Sequence, residues 1–361
     1  CSGVSSIQLP DKTGKGSEPF QAQGFIRSFT SLSSKPMGCR TMNKHIREAL
    51  AAPEVRPLRT VRLKHSKKYD VEGFAVTPDG RLAVYGEECD HIRLWNLETG
   101  RCAAVLQSEG GQVGALAITP DGRRVVCGGD TVHLWDLSRS RTPVVLEGHT
   151  EFVTCVAITS NGRIAATGSD RGKLFLWDCA TGARLRELRG HKDLIQALRF
   201  TEDGTRLISG GWDHDLRVWR VDSGRVLARF GGRCVHELDI TPDGMTVVET
   251  GCGKYVRVWN VAKRHCIRRF RHCDSWPRVA VTPDARFIVN RDHLAWHGDE
   301  TFLLIRDVKT GWCLARCAGH GNHIVNASLL RDGRMVSCDF DGVVHFWPSP
   351  AEVAARAGVT V

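Results

Sequence analysis

Along most of the chain, short apolar runs alternate with tight polar turns, and no stripe of helical period connects one run to the next. Val113-Gly114-Ala115-Leu116-Ala117-Ile118-Thr119 alternates small and aliphatic residues and stops at Pro120-Asp121-Gly122. There proline presets φ for the turn and glycine takes the left-handed position. A second run reaches Cys127, a third reads Val132-His133-Leu134-Trp135-Asp136, and a fourth, from Thr142 to Leu146, leads into Gly148-His149. The pattern predicts four short antiparallel strands per unit.

The turn recurs. Thr77-Pro78-Asp79-Gly80, Thr119-Pro120-Asp121-Gly122 and Thr241-Pro242-Asp243-Gly244 are joined by looser copies at Thr159-Ser160-Asn161-Gly162, Thr201-Glu202-Asp203-Gly204, Thr282-Pro283-Asp284-Ala285 and Leu330-Arg331-Asp332-Gly333. Successive copies stand 42, 40, 42, 40, 41 and 48 residues apart, which makes seven units. One such sheet cannot bury its own faces, so a fixed period of this length predicts small sheets stacked radially.

Gly148-His149, Gly190-His191 and Gly319-His320 mark one end of the unit. Trp135-Asp136 and Trp177-Asp178 mark the other, with near matches at Trp95-Asn96, Trp219-Arg220, Trp259-Asn260 and Trp347-Pro348. On these residues the chain resembles the WD40-repeat β-propeller family over about residues 58–348. The resemblance implies an all-β fold, a seven-bladed β-propeller of four-stranded antiparallel blades. It also implies a buried polar set of His, Ser/Thr, Asp and Trp in each blade. An indole N–H only donates and needs a hydroxyl or imidazole, while the His needs a carboxylate to fix its tautomer. By register, His191–Ser209–Asp213–Trp219 and His320–Ser337–Asp341–Trp347 are complete. His149–Thr167–Trp177 lacks its acid, because Arg171 stands in that place. Glu109 and Arg233 fall at or near His positions of other blades, so stability there is expected to lean on apolar packing.

The last unit ends at its third strand, Val343 to Trp347, ahead of Pro348 and Pro350. Residues 58–63 predict the missing fourth, an N-terminal strand closing the last blade and removing exposed sheet edges. The chain then divides into a disordered basic Ser/Gly-rich tail at 1–57, a propeller at 58–348 and a short C-terminal tail at 349–361. Between Glu18 and Glu48 the tail has no acid and collects Arg27, Lys35, Arg40, Lys44 and Arg47. That resembles organelle transit composition, the alternative to a cytoplasmic setting.

Unit six departs from the pattern: Arg306-Asp307 replaces Trp-Asp, and its extra residues fall within 291–301. In family geometry the b–c and d–a loops share the top face, where Trp212, Trp276 and Trp296 map. Arg171, Arg233, His214, His236, His293, His297 and His323 lie near that rim by register. One position per blade, just ahead of its first strand, holds Asp70, Gln112, Phe152, Leu194, Cys234, Ser275 and His323. Exposed Trp beside Arg and His is hot-spot composition, although these tryptophans equally suit caps on degenerate blades. The mixed row favours a peptide or loop ligand over a charged polymer. The candidate partner-binding residues are therefore Trp212, Trp276, Trp296, Arg171, Phe152, Leu194, His323 and His297. Trp312, at the start of an outer strand, is expected to pack locally.

Composition narrows the reading. The chain is 42% apolar and 25% charged, and no stretch nears the 18 continuous apolar residues of a membrane helix. A net charge of +10 suggests nucleic acid until it is located. Residues 1–68 carry 13 Lys/Arg against 4 Asp/Glu, which leaves 37 against 36 for the remainder. The 14 cysteines are scattered without a C-x-x-C pair and read as reduced intracellular thiols. Cys313-x3-Cys317-x2-His320-x2-His323 has a zinc-like spacing, yet its cysteines would lie about 13 Å apart along a strand. No metal and no cofactor are expected. The basic run Lys263-Arg264-His265-Cys266-Ile267-Arg268-Arg269-Phe270-Arg271 falls on the outer strand of blade five, where charge often guards an edge. No G-x-S-x-G, glycine-rich phosphate loop or H-E-x-x-H is present, so no enzyme is expected. The W-D-x-R tetrapeptide of ligase adaptors is absent as well. The expectation is a non-catalytic scaffold, a monomeric propeller within a complex, binding other proteins through its top-face loops without touching a membrane. The alternatives are RNA or an acidic partner on the tail and blade-five run, or a regulatory propeller of a larger protein.

Overall fold

The computed structural model describes residues 51–63, 71–87, 91–108, 113–140, 142–272, 278–293 and 301–358. Among them, seven antiparallel sheets follow one another in chain order. Blade four is representative: Ile195–Phe200 (strand a), Arg206–Gly211 (b), Asp215–Arg220 (c) and Val226–Gly231 (d) pair successively. The a strands of neighbouring blades pack side by side, and that of blade seven, Ile324–Leu329, lies against that of blade one, Val71–Val76. The ring is closed.

The repeated turn fixes each a–b hairpin. In blade five the Thr241 hydroxyl donates to Asp243 at 2.6 Å and accepts the Thr246 N–H at 3.0 Å, while Asp243 accepts the Met245 N–H at 2.9 Å. Gly244 closes the turn at φ 65°, a value that costs glycine little. Blade six places Ala285 in the same role at φ 57°.

Closure uses the N-terminal segment as expected. Arg59–Arg62 pairs antiparallel with Val343–Trp347, and the Thr60 hydroxyl meets His345 Nδ1 at 2.8 Å. The Arg59 guanidinium continues into blade one, donating to the carbonyls of Leu97 and Glu98 at 2.5 and 2.9 Å. Two terminal pieces differ from the sequence reading. Glu54–Val55, placed there in the tail, adds a fifth strand to blade six, parallel to Cys313–Cys317. Residues placed in the C-terminal tail form a helix, Pro350–Arg356, opened by a capping box in which Ser349 and Glu352 satisfy each other's backbone N–H. Its Ala354 packs with Phe287 and Leu314 of blade six.

The tryptophans in register, Trp95, Trp135, Trp177, Trp219, Trp259 and Trp347, are all buried, but their N–H groups fare differently. In blade four Trp219 donates to Ser209 at 2.8 Å, Ser209 meets His191 Nε2 at 2.6 Å, and His191 Nδ1 meets Asp213 at 2.9 Å. Donor inventory fixes the direction of this relay: indole to hydroxyl, hydroxyl to imidazole, imidazole to carboxylate. Burial opposes the Asp213 charge, but the His191 hydrogen bond and charge outweigh it and hold the carboxyl below its ordinary range.

Blade seven builds the same relay from His320, Ser337 and Trp347, with one correction. The acid is Asp339, 2.8 Å from His320 Nδ1, and not Asp341, which accepts from Asn322 at 3.2 Å. Asp339 stands two residues after Ser337, hence on the same strand face. Blade four has Gly211 at that point, so its acid must come from the loop.

Blade three keeps the Thr167 contacts to Trp177 and His149, both at 2.7 Å, and His149 Nδ1 has no partner among the described residues. Blade five places Glu249 where the hydroxyl stands elsewhere, accepting from Arg257 at 2.9 Å and Trp259 at 3.3 Å. Burial pushes the Glu249 carboxyl up even with Arg257 against it. Among the described residues, the N–H groups of Trp95 and Trp135 have no partner. In blade six, Arg306 is buried in the Trp position, 6.0 Å from the Phe270 ring centre.

Candidate functional site

Because a and b are antiparallel, the residue before each a strand and the residues after each b strand meet on one rim. In blade three the Asp170 N–H donates to the Phe152 carbonyl at 3.0 Å; in blade four Trp212 donates to Leu194 at 2.8 Å; in blade seven Phe340 donates to His323 at 3.0 Å. The rim is therefore built from backbone pairs that hold their side chains on rigid strand ends.

Phe152, Leu194, Trp212 and His323 are half-buried, whereas Arg171 and His214 are exposed. Beside Phe152, Glu151 pairs with Lys173 at 2.7 Å. Burial raises the Asp170 carboxyl above its usual range. The Trp212 ring lies 5.9 Å from that of His236, bridging blades four and five, and the His323 ring sits 6.1 Å from Phe340. Inside the ring the a strands are tied by charge. Arg199 donates to Glu237 at 2.9 Å and approaches Asp239 at 3.5 Å, and Arg278 donates to Glu237 at 2.5 Å, linking blades four, five and six.

The profile of the WD domain, G-beta repeat, matches residues 100–136, 140–178 and 182–220. Each interval runs from the d strand of one blade through the a, b and c strands of the next, in step with seven closed blades. The chain is a WD40-repeat β-propeller. Comparison with curated proteins finds no match.

The WD40 propeller brings together Phe152, Arg171, Leu194, Trp212 and His323 on one rim. Trp276, Trp296 and His297 lie outside the described residues, as do Asp70, Gln112 and Ser275 of the same row. The zinc-like string resolves differently: His320 commits both ring nitrogens to Asp339 and Ser337. Part of the basic run works within the propeller, since Arg264 donates to Leu227 of blade four at 3.4 Å, while Arg268 donates to Val308 of blade six at 3.0 Å and also to the Lys309 carbonyl. Trp312 does not pack as expected: its neighbours at the c–d turn leave it 70% exposed. Among the described residues no helix is long and apolar enough to cross a membrane.

Sequence reasoning missed one cluster. Cys234, of the top row, and Cys252, just past strand b of the same blade, are linked, with Cα atoms 5.5 Å apart. The cysteines read as reduced thiols thus include one bonded pair, while Cys155, Cys179, Cys317 and Cys338 are free and buried. His236 Nε2 stands 3.4 Å from the Cys252 sulfur. Burial, followed by the neighbouring His272, lowers the His236 pKa to about 4. The signal was a register coincidence: the residues closing the rim in blade four are Leu194 and Trp212, and in blade five both are cysteine.

Proposed function

We propose that the protein is a non-catalytic cytoplasmic scaffold that holds a peptide or loop of another protein on the rim formed by Phe152, Leu194, Trp212, Arg171 and His323. WD40 propellers generally bind other proteins. One observation carries the finer reading: consecutive blades present Phe152 and Leu194 half-buried at equivalent rim positions, with Trp212 half-buried beside Leu194. Apolar side chains preset on strand ends bind without much ordering cost. The imidazoles of His191 and His320 are consumed by structural hydrogen bonds, which supports a role without catalysis.

The test is quantitative cross-linking and mass spectrometry on the full chain. Trp212→Ala and the pair Phe152→Asp with Leu194→Asp should reduce recovery of the principal partner at least tenfold. Trp312→Ala, on an outer strand, should leave recovery unchanged. Circular dichroism checks that each variant keeps its fold. Unchanged recovery in the folded rim variants would remove the reading.

A further inference from the structure

The cysteine pair of blade five has a third donor beside it. The ligand atoms of Cys234, His236 and Cys252 all lie within 4.8 Å of one another. His236 Nε2 is 3.4 Å from the Cys252 sulfur and 4.0 Å from the Cys234 sulfur. Around a tetrahedral zinc with ligands at roughly 2.0–2.3 Å, neighbouring donor atoms stand about 3.3–3.8 Å apart. The imidazole is already near that spacing from both sulfurs. Only the sulfurs need to separate, and Cys252 is exposed, so rotation of its side chain accomplishes this with the backbone in place.

A purely structural disulfide accounts poorly for the arrangement. In blades three, four and seven the same two rim positions are closed by one backbone hydrogen bond, so a blade requires no covalent staple here. Nor does a staple need an imidazole nitrogen facing both sulfurs. Gly251 shows how closely the two strands meet: a Cβ there would fall 1.7 Å from the Cys234 carbonyl oxygen. The Cys252 N–H instead donates to the Cys234 sulfur at 3.0 Å, a contact that also favours a thiolate.

We propose that, in its reduced form, blade five binds a zinc-class divalent ion through the thiolates of Cys234 and Cys252 and Nε2 of His236, and that the disulfide is the oxidised, metal-free form of the same site. The chemistry balances with a thiol reductant. Two reductant thiols exchange with the Cys234–Cys252 bond, releasing one reductant disulfide and two cysteine thiols. Metal binding then displaces the two thiol protons to solvent. Two sulfurs and one imidazole suit zinc, and fast oxidation of an exposed thiol makes its loss redox-dependent.

Cobalt(II) is the probe, added to the full chain after reduction and chelator treatment. The expected result is one thiolate-ligated tetrahedral cobalt per chain, seen as sulfur-to-metal charge-transfer absorption and displaced by zinc. Cys252→Ser, on the exposed side, should abolish that spectrum, and His236→Ala should weaken binding at least tenfold. The oxidised protein should bind none, and a dithiol should restore binding. Zinc should also protect Cys234 and Cys252 from alkylation, a readout that needs no variant. Reduced wild type without the charge-transfer band, an unchanged band in Cys252→Ser, or unprotected Cys234 and Cys252 would each overturn the proposal.

Discussion

Ser209 is the most informative single atom to delete. Its hydroxyl accepts from the Trp219 indole at 2.8 Å and meets His191 Nε2 at 2.6 Å. Ser209 and Trp219 are 0% exposed and His191 is 8% exposed, so water cannot take the hydroxyl's place. Ser209→Ala therefore leaves two buried polar groups unpaired. At about 1–3 kcal/mol for each orphaned group, the loss should be roughly 2–6 kcal/mol. For a domain of this size that is a fall in Tm of about 3–10 °C. Urea unfolding followed by tryptophan fluorescence measures it. Ser209→Thr is the control, because Thr167 makes both contacts at 2.7 Å in blade three. A Ser209→Ala protein within about 0.5 kcal/mol of wild type, or a Thr variant as damaged as the Ala variant, would refute the argument that the relay stabilises its blade.

Two further outcomes follow from local geometry. Ala285→Gly should stabilise by about 0.5–1 kcal/mol in the same urea assay, because φ 57° strains a residue with a Cβ and suits glycine; destabilisation would contradict this. His149 should make stability fall between pH 6.5 and 4. Burial lowers its pKa in the fold from 6.5 to about 4, so over that window the unfolded chain takes up a proton that the fold refuses. The full shift corresponds to about 3 kcal/mol, and partial exposure reduces this to roughly 1–2 kcal/mol. The contribution is complete above pH 6.5 and gone below about 4, and His149→Asn should flatten the profile relative to wild type.

The turns made the architecture legible in advance. Thr, Asp and Gly at fixed offsets encode a hydrogen-bonded hairpin, so seven copies revealed seven blades and the borrowed strand near Leu58. The relays of blades three and four could be read because each partner type has one chemical role. Asp339 escaped because counting from blade four ignored which residues share a strand face with Ser337. The Glu249–Arg257 pair escaped because it fills the hydroxyl position with different chemistry. Ser349-Pro350-Ala351-Glu352 carried a legible helix start, while Glu54–Val55 is too short to show any period. The cysteine cluster joins residues 18 apart across a hairpin, and only pairing register brings them together.

Each a strand runs from the variable rim to its a–b turn on the opposite side, so the two ends of one strand can be compared within this chain. At the turn, six of seven units keep threonine, and the seventh has Leu330. At the other end, the seven positions equivalent in sequence register hold Asp70, Gln112, Phe152, Leu194, Cys234, Ser275 and His323, with no residue type repeated. A position that merely capped its blade would face the same packing problem seven times and would tend toward one solution, as the turn does. Complete variety at one end, beside near-uniformity seven residues away, means that the constraint differs between the ends. The backbone hydrogen bond behind Phe152, Leu194 and His323 explains how: it closes the rim without using the side chain, and leaves that side chain available for chemistry outside the fold.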